Sequence, residues 1–239
     1  MPAAARFKQR SVPSLAWSHS GPHCNAPREV CHCIDPPPKL AVLPREQQEP
    51  SVGYAVENRL LTADEFLAWD ADQTIKREFV RGEVFAMAGG EDNNDAVAGN
   101  LYIALRRHLR GTPCRVFGSD VKLRIEAADC YFYPDLMVTC SVADAAQRLV
   151  KREPSLVVEV LSPGTAAYDR GDKFADYRLL PSLTEYLLVD VKKRRCDLFR
   201  KLPDGLWVLH PSVAHGPVTL ASVDLTVSAD DLWADVATD

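Results

Sequence analysis

Glu159 sits inside Leu156-Val157-Val158-Glu159-Val160-Leu161, a β-branched run whose neighbours on both sides argue for full burial. A carboxylate in such a place is costly unless a cation or several donors meet it. Asp135, 24 residues earlier, follows Pro134 within the strand-like stretch 131–138. A proline inside a strand demands an edge or a bulge, where the backbone can re-aim a side chain. If 131–138 and 156–161 are neighbouring strands, both carboxylates can enter one cleft. Their mutual repulsion then calls for a divalent cation, and hard oxygen ligands select Mg2+ or Mn2+ over zinc. On spacing alone a second reading stays open: one acid satisfied by an arginine, the other a turn residue.

A third element is Tyr168-Asp169-Arg170-Gly171-Asp172-Lys173-Phe174-Ala175-Asp176-Tyr177. On a helix, Lys173 and Tyr177 share a face, and Asp169 can pair with Lys173. The segment follows the Glu159 strand after Ser162-Pro163-Gly164, so it can pack back over that strand and lower an ammonium toward the cleft. The alternative is a solvated Asp/Lys/Arg face. The chain contains no phosphate-binding P-loop, no Gly-x-Gly-x-x-Gly after a strand, no His-Glu-x-x-His and no Gly-x-Ser-x-Gly. P-loop hydrolysis, Rossmann cofactors, zincin chemistry and the hydrolase nucleophile elbow are therefore disfavoured.

The elements that must position these residues are legible in outline. Thr62-Ala63-Asp64-Glu65 is a capping box opening a helix over 63–70. Strands over 76–80 and 83–87 join at Arg81-Gly82. Val97, Leu101, Ala104, Leu105, His108 and Leu109 form one apolar stripe on a long helix ended by Gly111, with Asp92 to Asp95 offering N-caps. Short strands follow at 115–117 and 121–125, the latter with Lys122 and Arg124 on a wet face. Tyr131–Val138 reads as one strand interrupted at Pro134, and 141–153 as polar loop or helical turn. The 156–161 strand is central, a helix runs over 170–180, and another buried strand spans 185–190. Strands near 194–200, 206–210 and 218–223 precede a closing segment with Trp233. This order predicts an α+β domain, a mixed sheet flanked by helices.

The chain has 239 residues and net charge −5. No apolar run reaches the length of a membrane span, and the acidic balance excludes a generic nucleic-acid coat protein, though not an enzyme that brings a metal ion to a phosphate. Nine of the 17 prolines lie in residues 1–50, which keep no helix or strand period. The expectation is a disordered Pro-rich tail over 1–57 and one domain over 58–239. Cys24, Cys31 and Cys33 lie in the tail beside His23 and His32, but Cys-x-Cys is tight for zinc and no second pair follows. Arg6, Lys8, Arg10 and Arg28, with no acid among the first 28 residues, resemble a transit peptide. Prolines spoil its amphipathic helix, so a tail or a start codon read too far upstream is expected. Cys114, Cys130, Cys140 and Cys196 read as buried free thiols of a reducing cytoplasm.

Val-Val-Glu-Val-Leu-Ser-Pro-Gly-Thr, Asp-Arg-Gly-Asp-Lys-Phe-Ala-Asp-Tyr and Leu-Pro-Ser-Leu-Thr-Glu-Tyr-Leu-Leu-Val-Asp occur here in that order. Together they resemble the bacterial family of putative restriction endonucleases within the PD-(D/E)xK nuclease superfamily. The likeness covers about 60–235. Tyr131-Phe132-Tyr133-Pro134-Asp135, the hairpin Arg77 to Glu83, and Phe117 to Arg124 match further family motifs.

The resemblance implies a restriction-endonuclease-like mixed sheet and a Mg-dependent endonuclease hydrolysing DNA phosphodiester bonds. Asp135 and Glu159 match the ligands of Mg2+ (or Mn2+). The strand lysine of Glu-x-Lys is replaced by Leu161, and the migrated lysine matches Lys173, with Tyr177 beside it. Glu78 matches an accessory acid of the hairpin, although Glu83 could serve, and Asp120 is a structural or outer candidate. Many members carry a histidine where this chain has Asn94, and asparagine can orient water or phosphate without taking a proton. DNA would lie against Lys122 and Arg124, Arg106, Arg107 and Arg110, and 192–195; a homodimer is compatible with the class. The alternatives are an inert nuclease-fold binding or regulatory protein, and a Mg-dependent phosphodiesterase acting on RNA or small nucleotides.

Overall fold

A computed structural model describes residues 60–87, 89–211 and 216–237. The expected tail over 1–57, with its three cysteines, lies outside the described residues. Helices are α1 (Ala63–Asp70), α2 (Asp92–His108), α3 (Val142–Ala146), α4 (Ala166–Arg170), α5 (Asp172–Tyr177) and α6 (Ala229–Leu232). Strands are β1 (Arg77–Val80), β2 (Glu83–Ala86), β3 (Arg115–Gly118), β4 (Lys122–Ile125), β5 (Cys130–Phe132), β6 (Leu136–Thr139), β7 (Val150–Lys151) and β8 (Pro154–Leu161). They continue with β9 (Glu185–Asp190), β10 (Arg195–Lys201), β11 (Trp207–Pro211), β12 (Val218–Leu220) and β13 (Leu225–Val227). None of these helices is long and apolar enough to cross a membrane.

A six-stranded sheet runs β11-β10-β9-β8-β6-β3, with β8 and β9 parallel and the other neighbours antiparallel. A five-stranded sheet runs β2-β1-β5-β4-β7. This is the expected mixed sheet flanked by helices. The period-2 alternation of β8 divides its residues between two cores. Leu156, Val158 and Val160 face the apolar stripe of α2 formed by Val97, Leu101, Leu105 and Leu109. Val157 and Leu161 join Phe132, Phe174, Tyr177 and Tyr186 on the other face. Glu159 has the parity of that second face, beneath α5.

The capping box at Thr62 and Glu65 is formed, and Arg81 and Gly82 turn the β1–β2 hairpin with positive φ angles of 49° and 96°. The long helix starts at Asp92 with Glu91 as its cap, and Glu91 makes no side-chain cap bond. Three expectations are corrected. Tyr131–Val138 is not one interrupted strand: Pro134 separates β5, in the five-stranded sheet, from β6, in the six-stranded sheet. The 170–180 helix is two short helices hinged at Gly171, whose φ −112° and ψ −97° break the spiral. A Cβ there would lie 3.2 Å from the Ala167 carbonyl, so glycine lets the backbone pass. The 141–153 stretch forms the expected helical turn as α3 and adds a strand, β7, to it. Cys114 and Cys140 are not free thiols. They flank the β3–β6 pair, whose register sets Arg115 opposite Thr139, and they form a disulfide. Cys130 and Cys196 are buried and take no part in this disulfide.

Candidate active site

Register brings the two acids together. β6 and β8 pair antiparallel with Leu136 opposite Val158, and one step further sets Asp135 opposite Glu159. Two hydrogen bonds latch them. The Asp135 amide donates to Glu159 Oε2 at 3.4 Å, and the Val160 amide donates to Asp135 Oδ2 at 2.7 Å. Pro134 serves this geometry by ending β5 and carrying the chain across to the second sheet.

α5 supplies the cation. Lys173 Nζ lies 3.0 Å from Glu159 Oε1, 3.1 Å from Glu78 Oε1 and 3.7 Å from Asp169 Oδ1. One turn on, the Tyr177 hydroxyl donates to the same Glu159 Oε1 at 2.7 Å. Glu78 reaches in from β1 and also accepts from the Tyr133 amide at 3.3 Å. The Phe132 ring lies beneath Lys173 and meets Tyr177 edge-on. Asp135, Glu159, Lys173, Tyr177 and Glu78 thus converge. Asn94 stands at the wall and bonds backbone, donating to the Leu161 carbonyl at 3.2 Å and the Val160 carbonyl at 3.5 Å. Glu83 is exposed on β2, and Asp120 is exposed and pairs with Lys76, so neither joins the cluster.

Burial governs the electrostatics. It pushes the Glu159 carboxyl up to about 8, against the pull of Lys173 and with help from repulsion by Asp135. Burial also raises Asp135, opposed by the Val160 amide, and raises Asp169, opposed by Lys173. For Lys173 burial alone would lower the pKa, but the carboxylates of Glu159, Glu78 and Asp169 outweigh it and hold the ammonium well above its usual range. Tyr177 is raised by burial and by Glu159, so it stays a neutral donor. Four acids therefore crowd one ammonium, a local shortage of positive charge.

A cavity of about 570 Å³ opens onto the cluster, lined by Asp135, Glu159, Asp169, Lys173, Asn94 and Lys76 among others. Asp135 Oδ1 has no partner among the described residues, and Glu159 Oε2 accepts one long bond. No group of three or more His, Cys, Asp or Glu side chains forms a metal cage among the described residues. Two carboxylates beside a polar cavity, with room for retained waters, fit Mg2+ or Mn2+ rather than a protein-only cage.

Two wall residues escaped the reading of the sequence. Asp169 was legible as a helical partner of Lys173, but not as a buried acid of the cluster. Lys76 reaches the cavity from the approach to β1, 2.5 Å from Asp120, with no motif to flag it. The basic clusters are corrected in part. Lys122 is 2.8 Å from Asp70 and Arg124 is 2.8 Å from Asp129, so both are spent inside the fold and not on a wet face. Lys193 and Arg195 pair with Asp190 and Asp197, and Arg194 donates to the Val236 carbonyl. Arg106, Arg107 and Arg110 are exposed.

Residues 63–232 match the family model Uma2, described as Putative restriction endonuclease. The uncharacterized protein slr1290 of Synechocystis sp. PCC 6803 is 37% identical over 177 residues, covering 74% of this chain and 93% of that protein. The uncharacterized protein sll1609 of the same organism is 37% identical over 154 residues, covering 63% and 86%. The crystal structure of a putative nuclease belonging to DUF820 from Anabaena variabilis superposes with a TM-score of 0.62 at 16% identity, covering 74% of this chain and 99% of that one.

Proposed function

From the premise that the chain belongs to the Uma2 family of putative restriction endonucleases, we propose that it is a Mg2+- or Mn2+-dependent endonuclease hydrolysing DNA phosphodiester bonds. One observation carries this reading: Lys173 and Tyr177 meet Glu159 at the same oxygen, and Asp135 faces Glu159 across the strand pair.

Asp135 and Glu159 would hold the cation. When bound, it supplies Lewis-acid stabilisation of the phosphate and acidifies a water. Lys173 is held charged, so it acts as a cation and hydrogen-bond donor rather than as a base. It orients the attacking water and stabilises the negative charge that grows on the phosphate oxygens. Tyr177 fixes the Glu159 carboxylate, Glu78 and Asp169 aim the ammonium, and Asn94 braces the end of β8. Lys76, at the cavity wall with its partner Asp120 in solvent, is free to exchange that partner for a substrate phosphate. The reaction adds water across a P–O bond, leaving a phosphate monoester and a hydroxyl.

The test is incubation of supercoiled plasmid, single-stranded DNA and RNA with the protein in Mg2+, Mn2+ or EDTA. Nicking of plasmid that disappears in EDTA is expected. Cleavage of RNA alone, cleavage undiminished by EDTA, or no cleavage under any condition contradicts the proposal.

A further inference from the structure

Several of the described arginines are spent on acids of the fold. Arg81 pairs with Asp176, Arg124 with Asp129, Arg170 with Asp190 and Asp197, and Arg200 with Glu185. A group of three without acid partners lies at the end of α2 remote from the carboxylate cavity. Arg106, Arg110 and Arg115 line a hollow of about 400 Å³ with Thr112, and no acid lines it. None of the three forms an ion pair among the described residues, and all are exposed.

The hollow is built rather than incidental. The Leu109 carbonyl, just past the end of α2, accepts from the Thr112 amide and hydroxyl and fixes the turn into the loop. Arg115 Nη1 donates to the Thr112 and Cys114 carbonyls, which braces the guanidinium and leaves its other hydrogens free. The Cys114–Cys140 disulfide ties this loop to the end of β6. The braced Arg115 guanidinium beside Arg106 and Arg110, with no acid lining the hollow, suits phosphate oxygens.

We propose that this hollow binds a phosphate of the nucleic-acid backbone outside the cleavage cavity, as a second anchor for the substrate; it rests on the nuclease reading above. Ala98 lines the cavity and Arg106 lines the hollow, about 12 Å further along the axis of α2 at 1.5 Å per residue, with Arg110 just past the helix end. That span is on the order of three or four phosphates of one strand.

The test is fluorescence anisotropy of a labelled duplex of about 30 bp in EDTA, with plasmid nicking in Mg2+ measured alongside. R106A/R110A should weaken duplex binding at least about tenfold and reduce the slope of log affinity against log salt by roughly two. R106K/R110K should recover part of the affinity, and R148A, which removes an exposed charge elsewhere, should shift it less than about twofold. Equal melting temperatures check that the variants are folded. Unaltered affinity and salt slope in R106A/R110A, with nicking by the wild type intact, overturns the anchor alone. A wild-type protein that neither binds nor nicks overturns both readings.

Discussion

Lys173 Nζ stands 3.0 Å from Glu159 Oε1, although the two residues lie on different elements with a Ser-Pro-Gly turn and a hinged helix between them. The lysine comes from α5, packed over the sheet, while the acid points out of the sheet's central strand. What joins them is the break at Gly171, which turns α5 so that its first turn faces β8.

That dependence predicts the effect of Gly171→Ala. A Cβ at 3.2 Å from the Ala167 carbonyl forces the hinge to give. Stability should fall by roughly 1–3 kcal/mol, and cleavage should fall with it as Lys173 leaves Glu159. Thermal melts and plasmid nicking measure both; an unchanged rate separates the hinge from the site.

Tyr177→Phe removes one buried hydrogen bond and keeps the ring against Phe132. The expected cost is about 1–2 kcal/mol of stability, with cleavage reduced on the order of tenfold because the Glu159 carboxylate is less well fixed. Michaelis parameters should show the loss in kcat more than in KM.

The raised Glu159 carboxyl fixes the sign of two pH effects. Its folded pKa of about 8 lies above its ordinary value of 4.5, so the metal-free fold holds a proton that the unfolded chain has released. Stability from this group is therefore fully present below 4.5 and is lost as pH rises toward 8, by an amount on the order of a few kcal/mol. Glu159→Gln should flatten that slope in melts at pH 5 to 9. Binding of Mn2+ displaces the same proton, so its affinity should rise up to about tenfold per pH unit and level off above about 8. Titration calorimetry in buffers of different ionisation enthalpy reads the released proton directly.

The disulfide predicts a redox effect on stability. Cys114 and Cys140 close a loop with a sequence separation of 26 residues, so reduction, or Cys114→Ser with Cys140→Ser, should cost about 3 kcal/mol. Melting with and without a reductant tests this.

Periodicity and turn chemistry made much of the framework legible before any coordinates. The capping box at Thr62, the apolar stripe of α2 and the continuous run of β8 mark their elements because local physics decides them. Glu159 stands out as an acid where only apolar residues belong, while Lys173 and Tyr177 share a helical face whose role came from the family resemblance rather than from spacing. What stayed hidden depends on pairing between distant segments. Pro134 marks a discontinuity but not a change of sheet. Cys114 and Cys140 look solitary until the β3–β6 register sets them side by side. Lys122 and Arg124 look like a wet basic face until Asp70 and Asp129 arrive from elsewhere in the fold.

The most direct test of the central claim, that Asp135, Glu159 and Lys173 form one metal-dependent cleavage centre, is the initial rate of plasmid nicking in Mg2+ by the wild type, Asp135→Asn, Glu159→Gln and Lys173→Ala. Each variant is checked for folding by its melting curve. All three should fall at least about a hundredfold. Nicking by a folded Lys173→Ala protein at the wild-type rate would contradict the account.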